Sequence, residues 1–372
     1  MMKKALILGN SSSGLYDFRN ELLKKLLEDG FEVVISLPDD AKNEELEEEG
    51  CRVVHTDINR RGVNPVQDMA LIKDYKSLLK REKPDIVLTY TIKPNIYGGY
   101  ACRSLGIPYI STVTGLGSSF ERGGMLLKLI VSMYRFSLKK CDCLFFQNAE
   151  NRGIFESNGI MAKKHVTVNG SGVNLKKHSF EEYPGHSDDV TRFLYIGRIM
   201  KEKGVDEYLQ AAKVLHEKYG DKVSFAGIGY FDEDYEDRIK EFEKKGIFKM
   251  IPFSKDIHPY IREADAIVNP SYHEGMSNVL MEASATGRPC IASNISGCKE
   301  IVVDGSTGLL FEPRDAESLI NALDKFMNLT AGQRKDMGKN GRAHVEEHFD
   351  RQKITENYMR EIRRILSLTY VV

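Results

Sequence analysis

Long hydrophobic runs are missing from this 372-residue chain: no segment approaches the ~18 consecutive apolar residues that a membrane-spanning helix needs. An excess of either charge is missing too. With 53 Lys and Arg against 54 Asp and Glu the net charge is −1, which argues against a nucleic-acid binder, whose signature is a strongly basic domain. The six cysteines form no even ladder of spacings, so they read as buried thiols of a reducing compartment. Cys141-Asp142-Cys143 lacks partner ligands for a metal. Met1-Met2-Lys3-Lys4 resembles the start of a signal peptide, yet Ala5-Leu6-Ile7-Leu8 is too short for its apolar region and runs straight into Gly9. A first β-strand in a cytoplasmic protein is the expectation.

What the chain does have is length and rhythm. Its size suits two domains with ample apolar interior. Short apolar strands alternate with helical segments: Ala5–Leu8, then a helix over Leu15–Leu27, then Val33–Ser36, Asp85–Thr89 and Tyr109–Val113. A second run has Phe193–Ile196, Val223–Ala226, Ile267–Asn269 and Cys290–Ser293. Such alternation predicts α/β domains with parallel, doubly wound sheets. Residues 1–175 and 190–350 are the expected domains, with the polar stretch Lys176–Asp189 as boundary and substrates entering between them. From Arg351, Ile354, Tyr358, Ile362 and Ile365 share one face of an amphipathic helix.

The segment Ser271-Tyr272-His273-Glu274-Gly275-Met276-Ser277-Asn278-Val279-Leu280-Met281-Glu282-Ala283 sets two carboxylates around a glycine turn that opens a helix. Full helix would separate the two Glu by ~12 Å, and a loop at Gly275 shortens that span. The N–H groups of Met276, Ser277 and Asn278 would point at an anion from the helix start. Glu282 can accept from a vicinal diol and Glu274 from sugar hydroxyls. Two solvated acids on a capped surface helix are the plainer alternative.

Upstream, Gly197-Arg198 ends a strand and Lys203-Gly204 opens a helical stretch. Arg198 and Lys203 would sit at a strand C-terminus, where open α/β sheets bind ligands, and could neutralise a departing diphosphate. Singly, each could equally be a surface charge.

Taken together, Gly197-Arg198…Lys203-Gly204 and Glu274-Gly275-Met276…Glu282-Ala283 resemble the donor half of a family 4 retaining glycosyltransferase with the GT-B fold. Gly287-Arg288-Pro289, Gly297-Cys298-Lys299-Glu300 and Asp304–Leu310 are similar to that family's later pattern. The resemblance implies two Rossmann-like doubly wound domains facing a cleft, with the 351–372 helix crossing back onto the first. It implies a UDP-sugar donor on the second domain, with Glu274 on the transferred sugar, Glu282 on the ribose, and Arg198 and Lys203 on the diphosphate. Gly197, Gly229, Ile251, Phe253, Gly275, Met276, Ser277 and Asn278 would complete the donor pocket, uracil lying near Ile251–Ser254 and Gly227–Gly229. Met276, Val279 and Leu280 would shape the sugar's pocket.

On the first domain, Gly9-Asn10-Ser11-Ser12-Ser13-Gly14 fits neither a Walker loop nor a dinucleotide fingerprint. A tight strand-to-helix turn is one reading. The other is a glycine loop ending at Gly14, with Tyr16 and Arg19 reaching the acceptor. Thr91–Gly98 and Val113–Phe120 look like segments of a subgroup that extends lipid-linked oligosaccharides or capsular repeats. Lys93 would meet an acceptor phosphate, and Thr114 and Gly115 would line the reaction centre. Many family members carry a His in this second loop and this chain does not. The helical stretch Met125–Lys139 is apolar, and Arg122, Lys128, Arg135, Lys139 and Lys140 lie in or beside it. It could rest on anionic lipid at the inner face of the cell membrane, or be a core helix with snorkelling cations. A polyprenyl-linked acceptor would give the membrane contact a purpose.

Retaining enzymes resembling this one need no enzymic nucleophile, so orientation and charge stabilisation would carry the chemistry with no metal or other cofactor. Asp232-Glu233-Asp234 has the spacing of a metal-chelating rival, or simply complements a helix N-terminus. A nucleotide-sugar epimerase of similar architecture and a catalytically silent partner subunit are the other classes to separate.

Overall fold

The computed structural model describes residues 2–59, 64–116, 120 and 124–369. The chain divides into two compact units, one running to Ser171 and resuming at Arg351, the other spanning Gly172–Asp350. The polar stretch 176–189, expected as the boundary, therefore belongs to the second unit. Arg288 holds it there. Its guanidinium is fully buried, and it finds acceptors in the carbonyls of Glu181 (3.0 Å), Glu182 (2.8 Å) and Arg262 (3.0 Å). A buried cation needs such acceptors, and the chain segment supplies them.

The first unit is built on seven parallel strands: β1 (Lys3–Leu8), β2 (Phe31–Leu37), β3 (Arg52–His55), β4 (Ile86–Tyr90), β5 (Tyr109–Val113), β6 (Cys143–Phe146) and β7 (His165–Thr167). Their order is β3-β2-β1-β4-β5-β6-β7. Both faces are covered, which is why the strands read as continuous apolar runs. Ala5 and Ile7 face a core shared with α1 (Ser12–Glu28), whereas Leu6 and Leu8 face the opposite core. That second layer holds α3 (Pro65–Glu82), α4 (Gly99–Leu105), α5 (Gly124–Leu138) and α6 (Ala149–Ser157); α2 (Asn43–Glu48) precedes β3.

The chain's last described helix, Arg351–Thr369, lies against α1 in this same unit. Ile354, Tyr358, Ile362 and Ile365 are all buried. Tyr358 stacks on Phe145 with ring centroids 4.1 Å apart, and Arg351 donates to the Asp17 carbonyl at 2.7 Å.

The second unit carries β8 (Thr191–Ile196), β9 (Val223–Ile228), β10 (Lys249–Ile251), β11 (Ala266–Asn269), β12 (Cys290–Ser293) and β13 (Gly308–Phe311), all parallel, in the order β10-β9-β8-β11-β12-β13. Its helices are α7 (Val205–Tyr219), α8 (Glu236–Lys244), α9 (His258–Glu263), α10 (Asn278–Thr286), α11 (Ala316–Met327) and α12 (Ala331–His348); the returning helix is α13. In each sheet the strand order reverses beside its first strand, at β1/β4 and at β8/β11. Open parallel sheets bind ligands at the carboxyl ends of the strands flanking such a reversal.

The six cysteines are free and buried. Burial pushes the thiols of Cys141 and Cys290 up to about 12, so both stay protonated and pack as small apolar groups. No helix among the described residues is long and apolar enough to cross a membrane.

Candidate active site

At the β8/β11 reversal two glycine contacts bring backbone together. Gly197 follows β8 and donates its N–H to Ile228 at 2.9 Å. A Cβ on Gly229 would stand 1.8 Å from the Gly197 carbonyl oxygen, so only glycine permits this approach. Gly204 has φ +71°, and a Cβ there would meet the Pro270 carbonyl at 2.1 Å. That contact lays the Lys201–Lys203 turn against the segment leaving β11.

Lys203 and Glu274 meet as a result. The ammonium donates to Glu274 Oε1 at 2.6 Å, with both side chains about four-fifths buried. Arg198 donates to Asp232 at 2.8 Å. Both cations expected on a diphosphate thus have carboxylate partners within the unit. Asp232, expected as a helix-start acid or a chelator, holds Arg198 instead. Tyr195 fixes the turn by donating to the Arg198 carbonyl at 2.6 Å.

The helix opening after Glu274 starts at Asn278 with Ser277 as its cap. The Ser277 hydroxyl accepts from the Leu280 N–H, and the Ser277 N–H donates to Gly297 at 2.9 Å. The expectation that Ser277 presents its N–H to an anion is therefore corrected. Gly297, at φ +87°, presses so closely on Glu274 and Gly275 that its carbonyl reaches that donor first. Met276 and Leu280 are buried in the core beneath the loop, which corrects their expected place in the wall of the sugar's pocket. Asn269 ties the strand end to the cap, donating to the Ser277 hydroxyl at 2.7 Å.

Glu282 lies on α10 with His178 Nε2 3.8 Å from its carboxylate. His178 is buried and meets the His258 ring at 5.9 Å. At the ends of β9 and β10, Tyr230 and Phe253 are exposed aromatic rings set edge to face at 6.1 Å, just beyond Ile251. His178 and Tyr230 escaped the sequence reading. His178 stands 104 positions from Glu282 in a stretch with no periodicity, and Arg342 ties it to α10 by donating to the carbonyls of His178 at 2.9 Å and Ala285 at 2.7 Å.

In the first unit, Gly14 donates its N–H to the cap Ser11, making the 9–14 loop a capped strand-to-helix turn. Tyr16 is partly buried under Lys42, whose ammonium lies 4.8 Å from the ring. Arg19 does not reach outward, a second correction. It is 6% exposed, sits 5.3 Å from the Tyr90 ring, and donates to Phe18 O at 2.8 Å. Gln147, its amide turned to satisfy both neighbours, accepts from Arg19 at 2.9 Å and donates to the Thr114 carbonyl at 3.1 Å. The buried cation thereby holds the Thr114–Gly115 loop.

Lys93 is likewise engaged, 2.8 Å from the buried Asp68 of α3. Burial, and then Asp68, push the Tyr97 hydroxyl above its ordinary pKa. Thr91, just after β4, has φ +71°, a strained conformation for a β-branched residue of the kind that collects at functional sites. Asn95 locks this turn, accepting from Thr89 at 2.7 Å and donating to Thr112 O at 2.8 Å. The rest of the second loop, Gly117–Ser119, and Arg122 lie outside the described residues.

Residues 4–148 match the family Glycosyl transferase 4-like, and residues 177–344 match Glycosyl transferases group 1. The chain is 30% identical over 312 residues to the capsular polysaccharide biosynthesis glycosyltransferase CapM of Staphylococcus aureus, covering 78% of this chain and 81% of CapM. The chain is a group 1 glycosyltransferase. This transferase is also similar to the N,N'-diacetylbacillosaminyl-diphospho-undecaprenol alpha-1,3-N-acetylgalactosaminyltransferase of Campylobacter jejuni, at 25% identity over 96% of this chain and 98% of that one. An Escherichia coli UDP-Gal:alpha-D-GlcNAc-diphosphoundecaprenol alpha-1,3-galactosyltransferase is 30% identical over 74% and 77% of the two chains. Among solved structures, Anabaena Alr3699/HepE in complex with UDP and glucose superposes with a TM-score of 0.77 at 18% identity, over 98% of this chain and all of that one. The fold is GT-B.

Proposed function

We propose that this transferase moves a hexose or N-acetylhexosamine from a UDP-sugar to a polyprenyl-diphosphate-linked saccharide, with retention of anomeric configuration, in the synthesis of a surface polysaccharide or glycan. The observation that carries the reading is the convergence of Arg198, Lys203 and Glu274 on the strand ends at the β8/β11 reversal. The names of the Campylobacter and Escherichia relatives support the acceptor class, and that of the latter supports UDP.

In this reaction the bond from the sugar's C1 to the β-phosphate oxygen breaks and a bond from C1 to the acceptor oxygen forms on the same face. The acceptor's proton passes to the departing phosphate. Arg198 and Lys203 stabilise the charge that grows on UDP, Glu274 orients the sugar and Glu282 the ribose. Tyr230 and Phe253 flank the base, with Ile251, Gly197, Gly229 and the start of α10 completing the donor side. Lys93, Thr114 and Gly115 serve the acceptor side, and the basic α5 rests on the anionic inner face of the cell membrane. The charge stabilisation comes from protein cations, so the chemistry runs without a divalent metal.

The test offers a panel of UDP-sugars with and without a polyprenyl-diphosphate-linked saccharide, read by mass spectrometry and by NMR of the new linkage. A retained transfer product, undiminished in EDTA, is expected. Epimerised donor would instead indicate an isomerase, and no product with any pair a silent subunit. Turnover abolished by EDTA and restored by Mn²⁺ would overturn the metal-free mechanism.

A further inference from the structure

The first unit contains a cavity of about 200 Å³ that the donor chemistry leaves unused. Its walls are Met69 and Ile72 of α3, Ile96 and Tyr97 of the turn after β4, and Met133 and Phe136 of α5. Its mouth is apolar as well. Met69 and Phe136 are each more than half exposed, and Val66, Met125, Leu126 and Leu129 extend exposed apolar surface along the same two helices. Soluble surfaces seldom gather so much apolar area in one place without a ligand.

The charges around it have one sign on two of the three walls. Between Pro94 and Leu105, and again between Gly124 and Lys140, there is no Asp or Glu, whereas Arg103, Lys128, Arg135, Lys139 and Lys140 are present. Two cations lie directly on aromatic rings of the pocket: Lys76 is 4.6 Å from the Tyr100 ring and Arg103 is 4.0 Å from the Phe136 ring. Neither Lys76 nor Arg103 has a carboxylate partner among the described residues. An occupant with an apolar stem and an anionic head satisfies both features. Flexible methionines on two walls accommodate a branched chain better than a flat one.

We propose that this pocket binds the isoprene units next to the phosphate of the polyprenyl carrier, with Lys76 and Arg103 receiving the phosphate. The assignment deepens, and rests on, the reading of the acceptor as polyprenyl-linked. It makes the lipid a recognised part of the substrate in addition to its role as a membrane anchor.

The chain contains no tryptophan, so Phe136→Trp places a single reporter at the mouth while keeping an aromatic ring against Tyr100. Titrating the full-length variant with farnesyl phosphate should give a saturable change in emission. Adding Lys76→Ala and Arg103→Ala should weaken binding at least tenfold, and so should adding Met69→Glu, which sets a carboxylate at an exposed position of the mouth. A reporter on α7, Val214→Trp, should stay silent. The proposal is overturned if the Phe136→Trp signal does not saturate, or if dodecyl phosphate binds as tightly as farnesyl phosphate. Anionic phosphatidylglycerol vesicles giving the same change without competing with farnesyl phosphate would overturn it too. No turnover is needed for the readout. A chain that binds farnesyl phosphate but transfers no sugar fails the functional reading alone, and one that glycosylates the polyprenyl acceptor with a silent reporter fails the pocket alone.

Discussion

The ammonium of Lys203 and the carboxylate of Glu274 lie 2.6 Å apart although 71 positions separate them. On the proposed reading, a donor diphosphate that engages Lys203 must compete with this carboxylate, so one ion pair would link binding of the leaving group to placement of the sugar. Glu274→Gln should free Lys203, tightening UDP binding three- to tenfold, or about 1 kcal/mol, while turnover falls by roughly 10²-fold if the sugar is oriented by the charged carboxylate, since the amide keeps one neutral acceptor and loses the charge. Calorimetry with UDP and steady-state rates read the two effects separately. Unchanged or weaker UDP affinity would remove the competition from the account.

Lys203→Ala should lower kcat by roughly 10²-fold or more if the ammonium stabilises charge on the departing phosphate. Near-normal turnover would sink that role. Arg198 differs in being held by Asp232 at 2.8 Å and more exposed, so its pair is the one more easily exchanged for a ligand.

The pairs were half legible in the sequence. Glycine spacing around Arg198, Lys203 and Glu274 marks strand ends and helix starts, because close backbone approach at Gly204 and Gly229 leaves a local trace. The partners left none. Asp232 reads as one acid among three, and nothing in the sequence marks Asp68 of α3 as a partner of Lys93, since an ion pair between separate elements depends on packing and not on spacing. Strand ends followed the same logic. Cys290–Ser293, buried on both faces, was readable to the residue, while β3, whose pattern is Arg-Val-Val-His, and the three-residue β7 and β10 were not. Arg19 reads as reaching the acceptor because nothing local announces the Tyr90, Gln147 and Tyr358 lining that encloses it.

Glu282 and His178 give the next test. If Glu282 holds the ribose, Glu282→Ala should weaken UDP binding while leaving kcat at saturating donor within a few-fold, because such a contact is made equally in ground and transition states. His178→Asn, which shortens the side chain beside Glu282 Oε1, should raise KM for the donor in the same direction by a smaller factor. Unchanged UDP affinity in Glu282→Ala would count against the ribose contact altogether.

The glycine contacts predict opposite stability changes for two substitutions of one kind. Gly229→Ala drives a methyl group to 1.8 Å from the Gly197 carbonyl and should destabilise the second unit by about 2 kcal/mol or more. Gly153→Ala lies within α6, where a Cβ meets nothing within 4 Å, and should stabilise the first unit by about 0.5–1 kcal/mol. Thermal unfolding of both variants beside the parent decides this. Equal shifts would mean that the approach at Gly229 relaxes.

In the first unit, at the C-terminal end of α3, Glu82 accepts from Arg52, from Lys4 at 3.2 Å and from Arg81 at 3.2 Å. The Arg52 guanidinium, helped by Lys4 and Arg81 and opposed by burial, pulls the carboxyl from 4.5 down to about 2. A depressed carboxylate stabilises the fold fully above its unfolded pKa and loses that contribution as pH falls through the folded value. The relevant window therefore runs from about pH 4.5 to about pH 2. Roughly 3 kcal/mol is at stake across it. Glu82→Gln should be less stable than the parent at neutral pH, with Glu32 remaining to pair Lys4 and Arg52, and the gap should close as the parent is acidified through that window. Urea unfolding of the first unit at successive pH values measures the gap, and a gap independent of pH would show that Glu82 stabilises by packing and not by its charge.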